Sequence, residues 1–283
     1  MGSDYSVYRE LVSQLMQGQE SLPSLPSLTL QIRTAIQSPE TTNLQLERLI
    51  SRDPALSALL VKHASSAFYR QGRPAQSLRD VINLLGMRQL GSITMAHSLK
   101  SLFTLYSPAY KKLFLEVWER LLLQASTCAV LARQVGRVSP DHALLASLLS
   151  EVGSLVLLSA FKDEQVPPSP EHYFRLCRDY GKSLGVILLK RWAVDEEYIQ
   201  IIRQAGDWQA ASGPRIECID LVNLARHHSI REREPAVELP PLPGLAAYQK
   251  LLPPLDECSA DGSLLLISGH QEEIQTLASS LRG

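Results

Sequence analysis

Residues 139–161 read SPDHALLASLLSEVGSLVLLSAF. Ser139-Pro140-Asp141 opens a helix, and the pattern predicts it over 141–160. Leucines and valines cover most of its circumference instead of one stripe. A helix apolar on several sides has to be enclosed by other helices, so this stretch calls for a multi-helix bundle around it. Ala143, Ala146, Ser150 and Gly153 recur at steps of three and four and share one face. Ala125, Ala129 and Ala132, with Cys128 beside them, form a matching stripe on the preceding helix. Small side chains let two helix axes approach closely, and Ser150 and Ser154 are expected to bond back to carbonyls four residues earlier. Glu151 is the residue that this packing does not explain. It either faces out of the bundle or pairs with an arginine such as Arg133.

Helix signals recur along the rest of the chain. The segment SLPSLPSL (21–28) leads into a helix stopped at Ser38-Pro39, and Asn43 is expected to cap the next one. Asp53-Pro54 is a carboxylate cap followed by proline at the first helical position. Ser77 and Asp80 have capping-box spacing ahead of VINLL, and Gly86 is a natural stop. Ser107-Pro108 marks a boundary between an N-terminal lobe (1–107) and a core (108–230). In that core, helices are expected at 109–135, 141–160, 170–180, 183–192, 195–205 and 216–229. The stretch 231–244, REREPAVELPPLPG, reads as an extended surface connection, opening a C-terminal extension (231–283). The extension carries one strand candidate, 264–267, and a last helix near 272–281. No repeat appears, and the fold class is all-α.

The 28 basic and 29 acidic side chains leave a formal net charge of −1, which argues against non-specific nucleic-acid binding. No run approaches 18 apolar residues without a charge, so no membrane span is expected. No charged-then-apolar leader is seen, and a cytoplasmic location is expected. The opening MGSDYS fits a myristoylation pattern but is read as chance. Cys128, Cys177, Cys218 and Cys258 form no CxxC pair and are expected to be buried free thiols. His63 and His97 are read as satisfied groups in apolar helices, His142 as a neutral surface residue, and His227-His228 as lying at a helix end. No P-loop, GxGxxG or GxSxG motif is present.

The stretches LPSLPSLTLQI, LISRDPALSALLVKHASSAFY and SLRDVINLLGMRQL, followed by LLQASTCAVLARQVG, HALLASLLSEVGSLVLL, SLGVILLKRWAVDEEYIQIIRQ and DLVNLAR, resemble the HDOD family over roughly residues 20–230, in the same order. HDOD proteins are a divergent bacterial branch of the HD-domain proteins. The resemblance implies an N-terminal helical lobe packed on an HD-like helical core. HD phosphohydrolases hold divalent metals with a His, a consecutive His-Asp and a later Asp, because imidazole and carboxylate fix the ion that generates the attacking hydroxide. Carried onto this chain, the first His falls at Gln124, the His-Asp pair on Ser150-Glu151, and a following Lys on Ser154. The last Asp falls at Asn223 or Arg226, and a further His-His at Gln204-Ala205. One ligand type survives, as Glu151. The N-terminal lobe also departs from the family's Asn-Ser-Ala, having Ser65-Ser66-Ala67.

The resemblance therefore implies a non-catalytic regulatory protein of bacterial signalling that works by binding a protein partner, with no cofactor and with monomer and homodimer both open. Two alternatives stand beside it. One is an HD-type metal-dependent phosphohydrolase, which would need ligands such as Asp141 or His142 beside Glu151. Asp141 and Glu151 are ~15 Å apart along one helix, too far to share an ion. The other is a sensor of a nucleotide or other small molecule, using a pocket lined by Gln124, Ser150, Glu151, Ser154 and Asn223.

Overall fold

The computed structural model describes residues 2–17, 25–69, 75, 77–103, 108–161, 168–210, 213–234 and 237–282. The helices are α1 (Gly2–Gln17), α2 (Ser27–Gln37), α3 (Asn43–Ile50), α4 (Pro54–Ala64), α5 (Leu78–Phe103), α6 (Pro108–Val135) and α7 (Pro140–Ser150). They continue as α8 (Val152–Ala160), α9 (Pro170–Leu176), α10 (Lys182–Arg191), α11 (Glu196–Gln204), α12 (Cys218–Arg233), α13 (Leu265–Ser268) and α14 (Gln271–Leu281). Among the described residues no strand forms, and Cys258 and Leu264 make one isolated antiparallel bridge. The fold is an all-α, HD-like bundle.

Several helix ends follow the expected local chemistry. The Asp53 carboxylate accepts from Leu56 N at 3.0 Å, with Pro54 as the first helical residue of α4. Ser77 and Asp80 close a reciprocal capping box, at 3.1 and 2.9 Å. Gly86 takes φ +73° and breaks α5 into two arms. Other ends differ. Thr42, not Asn43, caps α3, because its hydroxyl meets the N–H of Gln45 while the Gln45 side chain returns to the Thr42 backbone. The 264–267 stretch is helical from Leu265 onward, not a strand: four apolar residues carry no periodicity that separates the two. Residues 231–244 are not extended throughout, since α12 runs on to Arg233 and residues 242–244 form a 3-10 turn that buries Leu242. His227 and His228 therefore sit inside α12, and His227 bonds Pro240 O at 2.8 Å. Cys128 and Cys218 are buried free thiols, Cys177 is half-buried and Cys258 is exposed.

At the centre, α6 and α7 pack along the two alanine stripes. Ala125, Ala129, Ala132, Ala143 and Ala146 are all essentially inaccessible to solvent. The stretch Pro140–Ser159 is apolar and long enough to cross a membrane, yet 89% of its most apolar window is buried inside the fold. The expected single helix over 141–160 is broken at Glu151, which has φ −109° and ψ 6°. Ser150 and Ser154 bond to carbonyls three residues back, Ser147 O at 2.8 Å and Glu151 O at 2.6 Å, tightening the chain on both sides of the break.

Gly153 does not serve the α6–α7 contact. A Cβ there would lie 1.8 Å from Gly181 O. The break expected between helices 170–180 and 183–192 does not form: Gly181 has helical φ −56° and ψ −43°, and a π-helical turn at Cys177–Gly181 joins α9 to α10. The wider π turn sets the Gly181 carbonyl directly over Gly153.

A polar chain, buried over most of its length, ties α14 to α4, α5 and α7, with Gln89 also bonded to Tyr69. Tyr69 donates its O–H to Asp141 at 2.9 Å, Gln89 Nε2 meets His63 Nε2 at 2.8 Å, and His63 Nδ1 meets Ser280 Oγ at 2.8 Å. Since the Gln89 amide can only donate, the neutral imidazole carries its proton on Nδ1. Burial pushes the His63 pKa from 6.5 down to about 3. The unfolded chain thus binds one more proton than the native state between those values. Stability is expected to fall as pH drops through that window, by at most about 1.4 kcal/mol per pH unit from this group. Urea unfolding between pH 7 and 4 should show a slope shallower by one proton in His63→Gln than in the parent. An unchanged slope would assign the acid sensitivity elsewhere.

Candidate functional site

The break between α7 and α8 places Glu151 inside the molecule, 6% exposed. Burying a carboxylate is costly unless a counter-charge meets it. Arg226 on α12 supplies that charge, with Nη1 2.5 Å from Glu151 Oε1. Arg226 Nε, also buried, has no hydrogen-bond partner of its own. The expected partner Arg133 lies elsewhere, paired with Glu273 and 4.5 Å from the Phe68 ring centroid.

The surroundings of the pair are cationic. Arg120 on α6, 8% exposed, donates to Glu234 Oε1 at 2.6 Å, and Arg178 donates to the other oxygen of Glu234 at 2.6 Å. Burial works against the Arg120 charge, but Glu151 and Glu234 more than offset it and its pKa rises. Lys182 is pushed down by burial and by Arg226, while Asp207 and Glu151 pull the other way. A carboxylate thus sits among three cations. A metal site has the opposite layout, a cation among anions and neutral nitrogen donors.

Of the other positions carried over from the resemblance, Ser150, Ser154 and Asn223 are occupied with holding the backbone. Ser150 and Ser154 spend their hydroxyls on the carbonyls already described, and Tyr173 donates to Ser154 O at 2.6 Å. Gln124, 2% exposed, reaches Ser147 Oγ at 3.4 Å, and its Oε1 has no partner. Asn223 accepts from Gly206 N at 2.8 Å and donates to Asp207 O at 3.0 Å, fixing the turn after α11. That turn lies beside Arg226, since a Cβ on Gly206 would come 3.3 Å from Arg226 Nε. Gln204 lines a separate surface groove with Arg88, Arg137 and His142. Gln124 and Ser150 thus meet at Ser147, Ser154 bonds Glu151 O, Asn223 holds the turn beside Arg226, and Gln204 faces another environment.

The metal implied by the HD relationship does not fit this donor set. Among the described residues no three His, Cys, Asp or Glu side chains converge. The surviving carboxylate is held by a guanidinium, beside an amide and two hydroxyls already in use. Asp141 bonds Tyr69, and His142 stacks on Tyr198 with its Nε2 3.3 Å from Glu197. Neither turns toward Glu151 in these contacts. The sequence signal for the pair was partial: Arg226 is one of the two positions, with Asn223, where the resemblance puts the last aspartate.

The HDOD domain family model matches residues 22–207. A Treponema pallidum (strain Nichols) protein described as uncharacterized is 25% identical over 199 residues, covering 65% of this chain and 37% of its own length. The chain thus spans well under half of that curated relative. Among solved structures, a Shewanella amazonensis SB2B protein with the provisional name of metal-dependent phosphohydrolase superposes with TM-score 0.77 at 20% identity, covering 100% of both chains. An HDOD domain protein of unknown function from Geobacter sulfurreducens gives TM-score 0.67 at 21% identity, over 99% of this chain and 97% of the other. A Marinobacter aquaeolei VT8 protein, provisionally named for signal transduction, gives 0.62 at 20% identity over 100% of this chain and 66% of its own. At these identities the structural likeness shows the fold. With two thirds of its length matched by the family model, the chain belongs to the HDOD domain family.

Proposed function

We propose that this protein is a non-catalytic member of a signalling system, acting by binding a protein partner on an HD-like scaffold whose catalytic centre has been replaced by an ion pair. The Glu151–Arg226 contact carries this reading. The guanidinium now provides the positive charge that a metal provides in HD phosphohydrolases, but it cannot bind and acidify a water as a metal does. Membership of the HDOD family and the near-neutral net charge support a regulatory module over a nucleic-acid binder. Function does not follow from fold, so the site decides the reading. On it, the protein works in the cytoplasm, without a cofactor.

Purified protein supplied with Mn, Fe or Mg ions should hydrolyse neither phosphomonoesters nor cyclic dinucleotides above the background of a Glu151→Gln preparation. Metal-dependent turnover that disappears in Glu151→Gln would overturn the proposal. Ser150→Ala, which removes a hydroxyl used only locally, is expected to change stability by roughly 1 kcal/mol and to leave partner affinity unaltered. A large affinity loss in a folded Ser150→Ala protein would point to a working site here.

A further inference from the structure

Away from the ion pair, a cavity of about 180 Å³ lies where α2 and α5 of the N-terminal lobe meet α7 and α11 of the core. Its walls are mostly apolar, with Ile32, Ile36, Met95, Leu149 and Val194 among them, and Asp195 and His142 also line it. Thr94 also lines it. That residue is 3% exposed, and its hydroxyl has no hydrogen-bond partner, a state that in native proteins calls for a reason.

Two arginines stand at the edge. Arg33 is already engaged, donating to Trp192 O at 3.1 Å and Ala193 O at 2.6 Å, with Asp195 at 3.4 Å. Arg88 lines the same cavity, and its charge acts on the half-buried Asp141. Asp141 Oδ1 accepts the Tyr69 O–H, and an anion arriving at Arg88 would share its charge with Asp141.

We infer that this interlobe cavity binds a small organic carboxylate, with a one-ring aromatic or short acyl body against the apolar walls, its carboxylate at Arg88 and a polar contact at Thr94. The size sets the class. The volume is slightly above the ~150 Å³ of a cavity known to take benzene and below the ~300 Å³ at which drug-sized pockets begin. A dinucleotide is excluded on that ground. The ligand would touch both lobes at once and would favour the arrangement in which they are closed on one another.

Gly91 provides the test. It lines the cavity, and a Cβ there would meet only Ile36 Cδ1, at an ordinary 3.7 Å, so Gly91→Ala and Gly91→Leu project into the space that the ligand needs. Benzoate is the aromatic probe, 2-methylbutyrate the acyl probe, and benzyl alcohol the neutral counterpart of benzoate. At a hundredfold excess over Kd, a carboxylate probe should raise the melting temperature of the parent by about 5 °C. Gly91→Leu should abolish the rise, and Gly91→Ala should weaken it. Arg88→Gln should lose benzoate affinity at least tenfold while keeping that for benzyl alcohol. Absence of any rise with both carboxylates in the parent would overturn the inference. So would a rise in Gly91→Leu, an undiminished rise in Gly91→Ala, or a benzoate preference that survives Arg88→Gln. If Gly91→Leu does not fold, the Gly91→Ala and Arg88→Gln comparisons decide. None of these outcomes bears on the Glu151–Arg226 site.

Discussion

Arg226→Met is expected to destabilise the protein by roughly 3–5 kcal/mol, the usual cost of leaving a buried charge without its partner. The expectation rests on location: Glu151 is 6% exposed and the Arg226 side chain 16%, so solvent replaces little of what the guanidinium supplies. Arg120 and Lys182 also act on Glu151 and set a limit on the loss. Combining Arg226→Met with Glu151→Gln should recover most of the stability, because the second change removes the orphaned charge. Urea unfolding of the four proteins closes a double-mutant cycle, and recovery on this scale requires a coupling of about 3 kcal/mol or more, at the upper end for contacting residues. Strict additivity would mean that the two side chains do not depend on each other, and the ion pair would lose its place in the account.

Gly153→Ala should be nearly as damaging for a different reason. Its new methyl would lie 1.8 Å from Gly181 O and 2.6 Å from Gly181 C, atoms of backbone that cannot rotate away. Either α8 or the π-helical turn has to move, and we expect a loss of about 3 kcal/mol or failure to fold, at the upper end of overpacking costs. Gly185→Ala is the matched contrast on α10. There the closest atom is Ile202 Cδ1 at 2.4 Å, the end of a side chain that can adopt another rotamer, while Gly153 N stands at 3.3 Å. A loss of about 1 kcal/mol is expected at that site. Melting temperatures of the two variants test the order, and equal effects would mean that the helices separate easily.

The bundle was readable because its signals are local. Caps at Asp53 and Ser77, the break at Gly86 and the alanine stripes of α6 and α7 each depend on residues a few positions apart. Failures came where a distant element decides the outcome. Nothing around Glu151 announces that its helix breaks there, since the break accompanies a counter-ion on α12, 75 positions further along the chain. Gly181 resembles a stop signal, but the close approach of Gly153 keeps it inside a continuous π-helical turn. The ion pair was half legible. Glu151 stood at a metal-binding position of the resemblance and Arg226 at one of two candidates for another, but proximity in space was needed to show that Glu151 meets Arg226 and not Arg133. The cavity beside Thr94 left no trace in the sequence, because its walls are ordinary apolar helix positions contributed by four separate elements.

The central claim is that a guanidinium has taken the place of the metal. It is tested most directly by elemental mass spectrometry of tag-free protein prepared without chelators, alongside Arg226→Met combined with Glu151→Gln. The account predicts manganese, iron, nickel and zinc far below one ion per chain in both preparations. A near-stoichiometric metal in the parent that falls in the double variant would contradict it, showing that Glu151 serves a metal centre.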